Sequence, residues 1–235
     1  MQAYLNDMMT IQKHFLNFLN DNNGSDDIYE NIKVILSNEK YRKNSECIIP
    51  ILLLLINISN NYHHCFNFYQ KIEQILFLLK KDIIYKISHE EKKLYKLFYK
   101  NNRLVLFLLR EKILPCNTSF ISNKLINLYF QPEFKDVKIK DRDSIFEVNE
   151  KQELPDDFEE NRYIGENQLY VCKIIREDSI DDFIIYANKT NLPINTIIKT
   201  SVYETNHFLM KNKVNLIEYA VFFGSIQIFQ YLRLN

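Results

Sequence analysis

Glycine and proline are scarce in this chain, with three Gly and five Pro among 235 residues. Both punctuate turns, and all-β folds use many of them, so the shortage excludes a sandwich or barrel and points to helices. Gly24, Gly165 and Gly224 lie too far apart to form a phosphate-cradling loop. Tryptophan is absent, and neither sign of charge is in excess, since 30 Lys plus Arg balance 30 Asp plus Glu. Zero net charge argues against wholesale attraction to nucleic acid or to an anionic membrane. Cys47, Cys65, Cys116 and Cys172 share no short spacing, which excludes a zinc ribbon and a thioredoxin-like motif. The start, MQAYLNDMMTIQKHF, lacks the basic flank and apolar core of a signal peptide. The longest apolar run, CIIPILLLLI over 47–56, falls short of the roughly 20 residues that a membrane span needs. An intracellular, cytoplasmic protein with reduced thiols is expected.

What the chain does have is apolar mass. Hydrophobic residues make up 46%, with 15 Tyr and 17 Phe, which excludes a disordered chain and leaves room for a substantial core. Residues 1–131 read as a helical N-terminal domain. Apolar side chains recur at helical spacing in Leu5, Met8, Met9, Phe15, Leu16 and Leu19, and again in Ile28, Ile32, Ile35 and Leu36. Ser88 and Glu91 have the spacing of a capping box. Residues 75–84 (ILFLLKKDII) match 105–114 (VLFLLREKIL) in character, at an offset of 30 residues. That is close to the period of about 33 found in ankyrin arrays, so degenerate helical repeats are expected here. Residues 132–166 are charged and poor in large aliphatics, and read as a linker or irregular connection.

Residues 167–235 hold the clearest pattern. Asn215-Leu216-Ile217-Glu218-Tyr219-Ala220-Val221 stands where an ankyrin repeat has T-P-L-H-x-A-A, and Gly224-Ser225 stands at its G-H turn. Asn215 and Glu218 have the spacing to cap each other's backbone N–H. Ala220 lets two antiparallel helices approach, and Gly224 can end the first helix at positive φ. Ile228, Phe229 and Leu232, with Tyr231, form one apolar stripe on the second helix. The Thr, Pro and His of the signature are all replaced. A weaker copy precedes it, with Asp178 at the turn position and Ser179 with Asp182 at the start of its second helix. The two turns lie 46 residues apart, which leaves an insertion around Leu192-Pro193 to Met210.

Together with NRYIGEN at 161–167, this stretch resembles an expanded family of ankyrin-repeat proteins from parasitic protists, in which a helical domain of unknown function precedes the repeats. The resemblance implies an all-α fold with an ankyrin-like α-solenoid and a non-catalytic role in protein–protein interaction, as a module or scaffold. In such repeats the variable positions of the first helix face the partner groove; here these are Tyr219, Phe222 and Phe223. Packing of the two Phe residues under the insertion is the alternative. Members of that family carry further repeats, so an uncovered Ile/Phe stripe on the last helix would allow self-association.

No cofactor is implied. His63-His64-Cys65 is the one cluster of metal-type ligands, and neighbouring side chains on a helix diverge by about 100°, which favours packing over a shared ion. His14, His89 and His207 are isolated, and nothing marks any Cys as activated, so neither a catalytic nor a metal residue is assigned. Lys92, Lys93, Lys96, Lys100 and Arg103 interleave with Tyr95 and Tyr99. The neutral net charge favours reading them as the solvated face of an amphipathic helix; a nucleic-acid-binding stretch is the alternative function.

Overall fold

The computed structural model describes residues 2–21, 26–38, 45–61, 67–87, 91–116, 128–134 and 154–235. Among them every regular element is a helix, and Ile197 and Asn215 form an isolated antiparallel bridge. The chain divides into two compact units, Met1–Pro115 and Cys116–Asn235.

The first unit comprises α1 (Gln2–Asn20), α2 (Asp26–Ser37), α3 (Ser45–Asn61), α4 (Phe68–Ile87), α5 (Glu91–Phe98) and α6 (Asn102–Arg110). Its core is built at three- and four-residue spacing from Ile11, Phe15, Phe18 and Leu19 of α1, Ile32 and Leu36 of α2, and Ile72, Ile75, Leu76, Leu79 and Ile83 of α4. Leu5 and Met9 stay exposed, so the fully buried stripe of α1 starts later than the sequence period predicts. The Lys71 ammonium donates to the Leu19 and Asp21 carbonyls at 2.9 and 2.7 Å, which satisfies the C-terminal end of α1 with a positive charge. The apolar run of α3 buries Ile51, Leu52, Leu55 and Ile56, and no helix among the described residues is long and apolar enough to cross a membrane.

The near-repeat of the first unit does not fold twice in the same way. Residues 75–84 all lie inside α4, whereas α6 ends at Arg110. Lys112 then turns left-handed at φ 55°, and the Ile113 N–H bonds back to the Leu108 carbonyl at 2.9 Å. This is the six-to-one bond of a Schellman motif, and it returns Ile113 and Leu114 to the core. The capping box read at Ser88 and Glu91 includes a residue outside the described ones.

Arg103 belongs to the core and not to a basic surface. It is 1% exposed, and its Nε lies 2.8 Å from a Glu73 carboxylate oxygen. Burial raises the Glu73 carboxyl above its ordinary range although Arg103 pulls the other way. Removing one partner of a buried pair leaves an uncompensated charge. Arg103→Ala is therefore expected to cost about 3 kcal/mol, against under about 1 kcal/mol for Lys80→Ala, whose pair with Glu111 is accessible on both sides. Urea unfolding followed by circular dichroism measures both losses; equal ones would overturn the buried-charge account.

The second unit contains α7 (Gln131–Phe134), α8 (Phe158–Ile164), α9 (Tyr170–Arg176), α10 (Ile180–Thr190), α11 (His207–Lys211), α12 (Leu216–Phe223) and α13 (Ile226–Leu234). Within it Arg162 of α8 ties down Tyr129 and Glu133, which stand before the charged stretch. The buried guanidinium donates to the Tyr129 carbonyl, to both Glu133 carboxylate oxygens and to Glu159, at 2.5–2.9 Å. Part of the stretch read as a charged linker is thus the helix α8, with Phe158 and Arg162 buried; its most charged portion, 135–153, lies outside the described residues.

Two helical hairpins, α9–α10 and α12–α13, make the body of this unit, with α9 packed on α12 and α10 on α13. Their turns share one geometry. Asp178 and Gly224 are both left-handed, at φ 49° and 68°. The Ser179 and Ser225 N–H groups bond the Ile174 and Ala220 carbonyls, and the Asp178 and Gly224 N–H groups bond Ile175 and Val221, a Schellman pair at each end. Cys172, Ile174, Ile175, Phe183, Leu216, Tyr219, Ala220, Ile228 and Leu232 fill the space between the hairpins.

Candidate functional site

The site grows from the start of α12. Asn215 accepts a bond from the Glu218 N–H, and Glu218 accepts one from the Asn215 N–H, both at 2.9 Å, so the first turn of α12 has a complete capping box. The helix then places Tyr219, Ala220 and Phe223 inward and Val221 outward. Of the three residues assigned to a partner groove, Tyr219 is 1% exposed and Phe223 is 7% exposed. Both rings belong to the core, so neither is presented to a partner. Phe222 is half-buried, and its ring stacks on Phe208 of α11 with centroids 5.8 Å apart and planes 5° from parallel. The insertion supplies that lid. Its extended part pairs with the residues before α12 through Ile198 N–H to the Val214 carbonyl at 2.8 Å and Leu216 N–H to the Thr196 carbonyl at 3.2 Å.

Of the apolar stripe on α13, Ile228 and Leu232 are buried and Phe229 is half-buried. The stripe faces its own unit, with Tyr231 set edge-on to Phe183 of α10 at 5.9 Å. What α13 leaves exposed are Ile226 and Leu234. Between the hairpins, the Asp178 carboxylate accepts the Gln227 and Ile228 N–H groups, both at 3.1 Å, and so caps α13 from the neighbouring hairpin. The Ser225 hydroxyl donates to the Ile175 carbonyl. Ser179 does not cap α10; its hydroxyl donates instead to the Asp182 carboxylate at 2.7 Å.

Beneath the insertion lies a polar cluster that the sequence did not disclose. Arg176 Nη1 donates to the Asn167 carbonyl and to the Tyr219 hydroxyl, each at 2.9 Å, and Arg176 Nε lies 2.9 Å from a Glu166 carboxylate oxygen. The Asn167 side chain donates to the Lys199 carbonyl, and the Thr205 hydroxyl donates to the Gly165 carbonyl, both at 2.9 Å. At the centre sits Glu204, 5% exposed. Its Oε1 accepts the Thr205 and Asn206 N–H groups, while Oε2 is buried without a hydrogen-bond partner. Asn167, Lys199, Ser201, Glu204, Asn212 and Tyr219 line a small cleft that opens to solvent.

The electrostatics follow from that burial. Burial pushes the Glu204 carboxyl from 4.5 up to about 7, and the Glu166 charge adds to the rise, against the Asn206 and Thr205 N–H bonds and Arg176. Burial also pushes the Cys172 thiol up to about 12. An activated nucleophile needs a lowered pKa and access, and Cys172 has neither. Burial raises Cys116 likewise, to about 11. Among the described residues no group of three or more His, Cys, Asp or Glu could hold a metal ion; His63-His64-Cys65 lies outside them. Comparison with known proteins finds no family model, no curated protein and no solved structure that matches this chain.

A carboxyl that titrates near neutrality when folded, and near 4.5 when unfolded, stabilises the fold only while it is protonated. Its contribution is complete below the unfolded value and is lost as pH rises through about 7. The second unit is expected to lose on the order of 3 kcal/mol between pH 4.5 and pH 8 from this group. Glu204→Gln should flatten that dependence and raise the urea midpoint at pH 8 relative to the parent. An unchanged slope in the variant would exclude Glu204 as its source.

Proposed function

We propose that this chain is a non-catalytic protein-interaction module or scaffold whose second unit is a short stack of ankyrin-like helical repeats acting in the cytoplasm. The observation that carries the reading is the matched pair of hairpins, with the same left-handed turn at Asp178 and Gly224 and the same stacking of first helix on first helix and second on second. A stack of this kind presents its first helices and the loops before them as one continuous surface. Here the exposed apolar residues on those elements are Tyr170 of α9, Val221 of α12, Ile197 of the insertion and Phe208 of α11. Exposed aromatics bury much area at small entropic cost, which makes Tyr170 and Phe208 the anchors of a partner-binding face. Phe222 supports Phe208 from below, while Tyr219 and Phe223 hold the helix that carries it. Exposed Ile226 and Leu234 on α13 offer a second contact, suited to self-association.

The test separates surface from core. Tyr170→Ala/Phe208→Ala is expected to abolish capture of a protein partner from native cells, read by mass spectrometry, with the helical spectrum and the thermal midpoint held within a few degrees. Tyr219→Ala, by contrast, should lower stability by about 3 kcal/mol because it empties a core position. Retention of every captured protein by the folded double variant would overturn this surface.

A further inference from the structure

Helix α5 of the first unit carries a face that protein recognition by the second unit leaves unused. Leu94 and Phe98 are fully buried and fix which side of α5 meets the core. At about 100° per residue, Lys92 and Lys96 then point away from the core, with Lys93 along one border and Tyr95 along the other, and Tyr99 and Lys100 follow in the turn after Phe98. All four lysines are exposed, Tyr99 is 39% exposed and Tyr95 half-buried. The two rings are neighbours, with centroids 6.4 Å apart. Among the described residues Lys92, Lys96 and Lys100 take part in no ion pair. Arg103, which the sequence adds to this group, is instead buried against Glu73 and contributes nothing to the face.

We infer that this face binds single-stranded nucleic acid. Lys92, Lys96 and Lys100, in no ion pair and with Lys93 beside them, gather positive charge within a short stretch that can meet several phosphates of one strand. Tyrosine rings beside them give unpaired bases something to stack on, which duplex DNA cannot use. Insertion into a membrane would need large aliphatics projecting from the same side, and the solvent side of α5 has none. The neutral total charge is no obstacle, because Debye screening confines each charge cluster to its own surroundings, about 10 Å at ordinary salt. This inference is independent of the interaction surface on the second unit.

Fluorescence anisotropy of the full chain with a labelled twelve-nucleotide mixed-sequence RNA tests it, beside a duplex DNA of the same length and phosphatidylserine vesicles. The expected result is binding to the single strand that weakens roughly 50-fold between 50 and 200 mM salt, the loss set by about four phosphate contacts. Lys92→Glu/Lys96→Glu should weaken it at least ten-fold, and Tyr99→Ala about ten-fold with a nearly unchanged salt slope. Both changes lie on exposed positions, and circular dichroism checks that the helices remain. No binding at 50 mM salt, binding indifferent to both variants, or preference for the duplex or the vesicles would each overturn the inference.

Discussion

The guanidinium of Arg176 sits at the end of α9 and reaches two segments at once: the Glu166 carboxylate and Asn167 carbonyl just before α9, and the Tyr219 hydroxyl of α12. Tyr219 is 43 residues from Arg176, and no sheet joins the two. A buried cation is costly unless its donors are satisfied, so the same bonds that neutralise Arg176 also fix the angle between α9 and α12 and the path of the chain before α9. Asn167, held by its carbonyl, turns its amide onto Lys199, and Thr205 fastens the other end of the insertion to Gly165. The position of the insertion therefore follows from where one side chain of the first hairpin finds its partners.

A second constraint acts at the joint between hairpins. Side chains at the turns connect the two hairpins. Asp178 accepts a left-handed conformation, to which Asp is better suited than most non-glycine residues, and in that place its carboxylate reaches the first free N–H groups of α13. Ser225, just past the equivalent turn, returns a bond to the Ile175 carbonyl. Each hairpin end thus does two jobs, closing its own helix and positioning the next. Gly224 closes α12 without a side chain and so supplies no carboxylate of the kind that Asp178 gives to α13.

How much of this the residues disclose depends on distance along the chain. The α12 capping box, the glycine turn, the small Ala220 and the burial of Ile228 and Leu232 are local patterns of three to eight residues, legible because helix geometry is local. The all-helical class follows from the shortage of Gly and Pro. The similarity of 75–84 to 105–114 is genuine in composition yet misleads in structure, since a left-handed Lys112 ends the second copy and no residue type announces it. Glu204, Arg176 and Glu166 were not legible as a cluster. Each looks like an ordinary surface charge in sequence, and their convergence depends on contacts across 10 to 40 residues. Tyr219 was legible as a first-helix position but not as a core one, because its burial is decided by an insertion whose path the sequence does not encode locally.

The insertion changes which ring on this side of the unit meets solvent. Tyr219 and Phe223 are core residues, and Phe222 is the half-buried ring of α12. Here Phe208 stacks over Phe222 and replaces it as the ring that solvent meets. Phe208 lies in the first turn of α11, whose N-cap is Asn206, and the Asn206 N–H is one of the two that Glu204 accepts. The carboxyl that titrates near neutrality and the exposed Phe208 ring are therefore linked through Asn206. Loss of the proton from Glu204 charges a site in which Oε2 has no hydrogen-bond partner, on the side chain whose Oε1 holds the Asn206 N–H. Burial of one acid and exposure of one ring are two consequences of the same fold of the insertion.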